Sequence, residues 1–137
     1  MTILLVDDDL VDAMAVKRSF RDLKIANTIV EARNGIEALE HLRGESGREK
    51  IPTPHLILLD LNMPRMGGIE FLAELRRDPA LRRTLVFVIT TSAAEQDRTR
   101  AYDMNVAGYV LKHRPGQSFL DAIDKLESYW RIIEFPD

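Results

Sequence analysis

Residues 56–64 read Leu56-Ile57-Leu58-Leu59-Asp60-Leu61-Asn62-Met63-Pro64, and Met66-Gly67-Gly68 follows closely. Four consecutive aliphatic residues make a strand with no face suited to water. Such strands sit in the middle of parallel sheets, covered by helices on both sides. Asp60 ends the run abruptly, and the proline and paired glycines enforce a loop. A helix is predicted next, marked by Ile69, Leu72 and Leu75 and stopped by Pro79.

Working outward, the same alternation recurs. Ile3 to Val6 is a second buried strand, cut off by Asp7-Asp8-Asp9. Ala13, Val16, Phe20 and Leu23 then recur at helical spacing over residues 10–23, with Asp9 as a cap. Thr28 to Ala32 reads as a strand. Asn34-Gly35-Ile36-Glu37 has capping-box spacing and opens a helix carrying Ile36, Leu39 and Leu42, which Gly44 closes. Residues 44–54 form a long polar loop, expected as mobile surface. Leu85 to Ile89 is a strand closed by Thr90 and Thr91, and Ser92-Ala93-Ala94-Glu95 predicts a capped helix reaching about Met104. Tyr109 to Leu111 is the last strand, and Ser118 caps a helix with Phe119, Ile123, Leu126 and Trp130 on one side. Strand then helix, five times over, predicts an α/β fold: a doubly wound, five-stranded parallel sheet with helices on both faces.

Composition agrees with one globular domain. The 137 residues are 45% hydrophobic and 30% charged, and 22 acidic against 19 basic residues leave a net charge of −3. That balance offers no concentrated basic face, so neither nucleic acid nor a membrane surface is an expected partner. There is no cysteine, which excludes disulfides, thiolate catalysis and thiolate metal sites. The apolar start is too short for a signal sequence or membrane span, and a cytoplasmic location is expected.

In an open parallel sheet, chemistry gathers beyond the carboxyl ends of the strands. Every unusual polar residue here falls at such an end: Asp7 and Asp8 after the first strand, Asp60 after the third, Thr90 after the fourth and Lys112 after the fifth. Acids packed together repel one another and lose hydration unless a cation neutralises them. With only oxygen donors on offer the ion must be hard: Mg²⁺, with Mn²⁺ able to substitute, and with the backbone carbonyl of Asn62 as a further oxygen. A carboxylate beside a metal, an ammonium and a hydroxyl can attack phosphorus, so the expected chemistry is phosphoryl transfer to Asp60. Asp9 and Asp12 are read as ordinary cap or turn acids.

These residues resemble the receiver domain of bacterial two-component response regulators. Leu4-Leu5-Val6-Asp7-Asp8 is similar to its first-strand acidic pair, and Leu58 to Pro64 with Met66-Gly67-Gly68 to its phosphorylation loop. Thr90, Tyr109 and Lys112 match its strand-four hydroxyl, switching aromatic and strand-five lysine. The resemblance covers essentially the whole chain and implies the flavodoxin-like receiver fold. It further implies that Asp60 is the phosphoacceptor, that Asp7, Asp8, Asp60 and the Asn62 carbonyl hold Mg²⁺, and that Thr90 and Lys112 each bind a phosphoryl oxygen. A sensor histidine kinase or a phosphotransfer protein would supply the phosphoryl group. The receiver would catalyse its own phosphorylation and a slow autodephosphorylation, and would act through a downstream protein, with no output domain of its own.

Two departures stand out. His113, not proline, follows Lys112, and a cis bond there would cost about 2.5–4 kcal/mol over trans. The chain also closes on an apolar stretch in which Trp130, Ile132, Ile133 and Phe135 exceed what one helix face can bury. Residues 1–127 are therefore read as the receiver and 128–137 as an arm forming a homodimer. This tail and the long loop at 44–54 resemble single-domain regulators paired with phytochrome-type histidine kinases. The competing expectations are a haloacid-dehalogenase-type phosphohydrolase using Asp7 and Asp9, and a receiver-like binding module that is never phosphorylated.

Overall fold

The computed structural model describes residues 1–53, 55–112 and 119–132. Five strands and five helices alternate along the chain: β1 (Thr2–Val6), α1 (Leu10–Asp22), β2 (Thr28–Ala32), α2 (Gly35–Arg43), β3 (His55–Leu59), α3 (Gly68–Arg77), β4 (Leu85–Thr90), α4 (Glu95–Asp103), β5 (Gly108–Leu111) and α5 (Phe119–Ile132). The strands form one sheet in the order β2-β1-β3-β4-β5, and every pairing is parallel. The expected doubly wound architecture is the observed one.

Side chains alternate across a strand, so each apolar run feeds two cores. Leu4, Val6, Ile57, Leu59, Val86 and Val88 face one side, where they meet Leu39 and Leu42 of α2, Phe71, Leu72 and Leu75 of α3 and Ala101 of α4. Ile3, Leu5, Leu56, Leu58, Phe87 and Ile89 face the other, against Val16 and Phe20 of α1 and Ile123, Leu126 and Trp130 of α5. Unbroken apolar sequence is thus what a sheet clad on both faces requires.

Local signals hold at most helix ends. Asp9 caps α1, its side chain accepting from the Val11 and Asp12 amides. Asn34 caps α2 by accepting from the Glu37 amide, and Gly44 ends it at φ 70°, the left-handed conformation that glycine adopts without strain. The expected Ser92 cap does not form: α4 begins at Glu95 with Ala94 at its cap position and no side-chain bond. Instead the Ser92 hydroxyl reaches Asp97 at 2.6 Å.

At the periphery, residues 44–53 are mostly exposed, as expected of surface, and the expectation for Trp130 is corrected. The described part of the loop after Gly44 lies against the domain: Ile51 is 4% exposed, its amide bonds the His41 carbonyl, and Arg48 pairs with Glu37 and Glu40 of α2. Trp130 is likewise no part of an exposed arm. It is 5% exposed and packs on Phe20 with ring centroids 5.8 Å apart. The reason is that α5 continues to Ile132, so Trp130 falls two turns after Ile123 on the same helix face. Ile132 points outward, at 82% exposure. Ile133 and Phe135, the Ser118 cap and His113 lie outside the described residues. Among the described residues no helix is long and apolar enough to cross a membrane.

Candidate functional site

The order β2-β1-β3-β4-β5 places β1 beside β3 at the centre. The chain leaves β1 toward one edge and β3 toward the other, which opens a crevice at their carboxyl ends. Backbone bonding runs one residue past each strand and fixes what lines that crevice. The Asp7 amide donates to the Ala32 carbonyl, that of Asp60 to Val6 and that of Lys112 to Thr90, at 2.8–2.9 Å. Asp7, Asp60 and Lys112 are therefore placed by the sheet as firmly as the strands are, and Thr90 is the last residue of β4.

The loop after Asp60 is held by close backbone packing. Gly68 opens α3 with its amide on the Leu61 carbonyl, and a Cβ there would sit 2.6 Å from Leu61 Cα and 2.7 Å from the Asp60 carbonyl oxygen. Only glycine permits that approach. On the far side, the Gly35 amide donates to the Met66 carbonyl at 2.9 Å, which ties the loop to the start of α2. Arg65, between these anchors, holds φ at 65°, a left-handed conformation uncommon outside glycine.

Four of the buried polar residues of the protein converge here: Asp7 and Asp60 at 6% exposure, Lys112 at 5% and Thr90 at 0%. The Lys112 ammonium donates to Asp12 Oδ2 at 2.7 Å, Asp7 Oδ2 at 2.8 Å and Asp60 Oδ2 at 3.3 Å. Asp7 Oδ1 accepts from the Asp9 amide at 2.9 Å, and Asp60 Oδ1 from the Asn62 amide at 3.3 Å. Burial pushes the Asp7 carboxyl up to about 6, although the Lys112 hydrogen bond opposes the shift. Burial alone would depress the Lys112 ammonium, but its hydrogen bonds to Asp12 and Asp7 and the charges of Asp7 and Asp60 outweigh it and raise its pKa. At neutral pH the lysine is charged and one cation faces a surplus of carboxylates.

That surplus fits a hard divalent cation. Ligand oxygens of Asp7, Asp8 and Asp60 all lie within 4.8 Å of one another, a purely carboxylate donor set that suits oxygen-seeking ions. Asp8 is exposed, so this side of the group faces water. Asn62 is exposed at the rim.

Thr90 starts a polar relay away from this pocket. Its Oγ1 accepts from the Ser92 amide at 3.3 Å, and the Ser92 carbonyl accepts from the Tyr109 hydroxyl at 2.9 Å. Burial raises the Tyr109 pKa, so the phenol remains a donor. Of the expected site residues, the structure gathers Asp7, Asp8, Asp60, Thr90 and Lys112 at one edge of the sheet. Asp9, required by the phosphohydrolase reading, is engaged in capping α1 and is exposed. Asp12, expected as an ordinary cap or turn acid, instead grips Lys112. Its position four residues after Asp8, one turn into α1, was the available signal, but its partner lies 100 residues away in sequence.

Comparison with known proteins agrees with this geometry. The family model for the response regulator receiver domain matches residues 3–124. Response regulator Rcp1 of Synechocystis is 36% identical over 128 residues, covering 93% of this chain and 87% of the relative. The crystal structure of the Mn²⁺-bound form of Rcp1 superposes with a TM-score of 0.88 at 34% identity, covering 99% of both chains. That of the phosphorylated cyanobacterial phytochrome response regulator RcpA gives 0.89 at 33% identity, covering 99% of this chain and 98% of the other. An acidic pocket at the switch point of a 2-1-3-4-5 sheet, on a chain so matched, makes this protein a member of the response regulator receiver family, whose work is phosphorylation-dependent signalling.

Proposed function

We propose that Asp60 is the phosphoacceptor of this receiver and that Asp7, Asp8, Asp60 and the Asn62 carbonyl hold Mg²⁺ during transfer. The observation carrying this reading is the buried Asp60 carboxylate 3.3 Å from the Lys112 ammonium and within the three-carboxylate group. A carboxylate oxygen of Asp60 attacks the phosphorus of a phosphohistidine. The new O–P bond forms as the P–N bond breaks, and the imidazole nitrogen leaves with the electron pair and takes a proton. Lys112 stabilises charge on one equatorial oxygen and the Thr90 hydroxyl donates to another. The cation would supply charge neutralisation between Asp60 and the incoming phosphoryl group; Mn²⁺, present in the Rcp1 structure, would serve as well. Hydrolysis later returns the free carboxylate.

Phosphorylation adds about −1.5 to −2 charge and strong acceptor oxygens. Drawing the Thr90 hydroxyl toward them perturbs Ser92, and Ser92 is what the Tyr109 hydroxyl holds. The signal therefore travels from Thr90 through Ser92 to Tyr109 and the start of α4, and a downstream protein or phosphotransfer partner reads that face.

The donor is a histidine kinase, and the likeness to phytochrome-associated regulators supports a phytochrome-type sensor, working in the cytoplasm where kinases draw on ATP. A homodimer through the end of α5 is supported by exposed Ile132 and Tyr129, while Trp130 belongs to the protomer's own core. Incubation with acetyl phosphate and Mg²⁺ should add one phosphoryl mass to the wild type and none to Asp60→Asn or to chelator-treated protein. Labelling of Asp60→Asn would overturn the assignment.

A further inference from the structure

We infer that Asp12 is an exchangeable holder of Lys112, which the phosphoryl group must displace. The inference rests on Asp60 being the phosphoacceptor. An ammonium has three N–H donors, and at Lys112 all three are directed at carboxylates: Asp12 at 2.7 Å, Asp7 at 2.8 Å and Asp60 at 3.3 Å. The lysine side chain is 4% exposed, so no donor is left over for water or for a newly arriving oxygen. A phosphoryl oxygen gains a Lys112 hydrogen bond only if one present acceptor lets go.

The three acceptors are not equivalent. Asp7 and Asp60 also belong to the group able to hold a cation, and the backbone bonding past β1 and β3 fixes their positions. Asp12 belongs to neither arrangement. It is in the first turn of α1, its side chain is 24% exposed, and water can solvate its carboxylate once released. Esterification removes the Asp60 charge and weakens a contact that is already the longest, at 3.3 Å; Asp12, at 2.7 Å, then remains the strongest competitor of the phosphoryl oxygen for Lys112 and the one whose place water can take.

Two consequences follow. Asp12 shares Lys112 with Asp7 and Asp60 while no phosphoryl group is present, and it sets a threshold that the phosphoryl group must overcome. Release also frees one anchor of the α1 first turn, whose neighbours Leu10, Val11 and Met14 are 58%, 74% and 55% exposed. Occupancy at Asp60 is thereby coupled to this apolar surface through a single ion pair. Asp12 is a positioning residue, acting through Lys112 and touching no reacting atom.

The test is affinity for beryllofluoride, a phosphoryl mimic, read by fluorine NMR of the bound species on Mg²⁺-loaded protein. Losing a competitor worth the weakest charged hydrogen bond predicts about tenfold tighter binding by Asp12→Ala. Asp12→Glu, which restores the carboxylate, should return most of the way to wild type. The gain should persist from about 0.15 M to about 0.5 M salt, because a diffuse surface field is screened over that range and a buried contact is not. Hydrogen exchange at the α1 first turn should rise on beryllofluoride binding in the wild type and start high in Asp12→Ala. Unchanged or weaker affinity in Asp12→Ala, or a gain that disappears at the higher salt, overturns the holder role. Absence of beryllofluoride binding by the wild type would instead remove the phosphoacceptor reading beneath it.

Discussion

Leu58 and Asp60 lie two residues apart at the end of β3, and both are hidden from solvent, at 0% and 6% exposure. Leu58 is surrounded by apolar neighbours from the strands beside it and the helices α1 and α5. It stays buried because water gains nothing from reaching it. Asp60 is surrounded by an ammonium and other carboxylates. It stays buried because the sheet puts it there and because the Lys112 ammonium offsets part of its lost hydration. The interior is held by apolar packing, whereas the edge is held by Lys112 shared among three acids. Equal burial therefore has two different causes, and only the second involves the groups proposed to carry the signal.

The contrast breaks most visibly at Leu58. Leu58→Ala should cost about 2–5 kcal/mol in urea unfolding, with the Mg²⁺ affinity of the folded protein unchanged. Loss of metal binding in a variant that still folds would show that the interior and the edge are not separable.

The edge should respond to pH where the interior does not. Asp7 is raised from 3.8 to about 6 on folding, so the folded state holds that proton more tightly than the unfolded chain. Stability from this group is fully present below about 3.8 and is lost as pH rises through about 6, by roughly 3 kcal/mol at most in metal-free protein. Mg²⁺ removes the cause of the loss, so its stabilising effect should grow between about pH 4 and about pH 6 in thermal unfolding, the window set by that shift. A Mg²⁺ effect indifferent to pH would contradict it.

A smaller effect sharpens the route by which the edge communicates. Tyr109→Phe removes the hydroxyl that donates to the Ser92 carbonyl, at a cost of about 1 kcal/mol. Hydrogen exchange should rise at Ser92 and the first turn of α4 and stay unchanged in β3. The smallest effect concerns the loop itself: Arg65→Gly relieves a left-handed residue and should stabilise by at most about 1 kcal/mol, with phosphorylation by acetyl phosphate retained. Destabilisation would mean that the Arg65 side chain contributes more than its backbone costs.

Much of the edge is legible in the sequence. A residue that directly follows a buried strand must lie at the sheet's carboxyl end, so Asp7, Asp60 and Lys112 could be assigned to one rim from order alone. Asn34 and Gly44 were legible for the same local reason, since a cap is satisfied within a few residues. Ser92 was misread because capping-box spacing is a local signal, and at this position Asp97, Thr90 and Tyr109 compete successfully for its groups.

By itself the sequence determined the strand count, the doubly wound architecture and the acids that could meet a cation, because periodicity and adjacency act over short stretches of chain. Only the tertiary structure decided that Asp12 grips Lys112, that Ile51 draws the long loop onto the domain, and that Trp130 completes a core with Phe20. Each of those outcomes is a choice among partners far apart in sequence. Such choices are made by burial and by the matching of charges, and neither exists until the sheet has brought the candidates together.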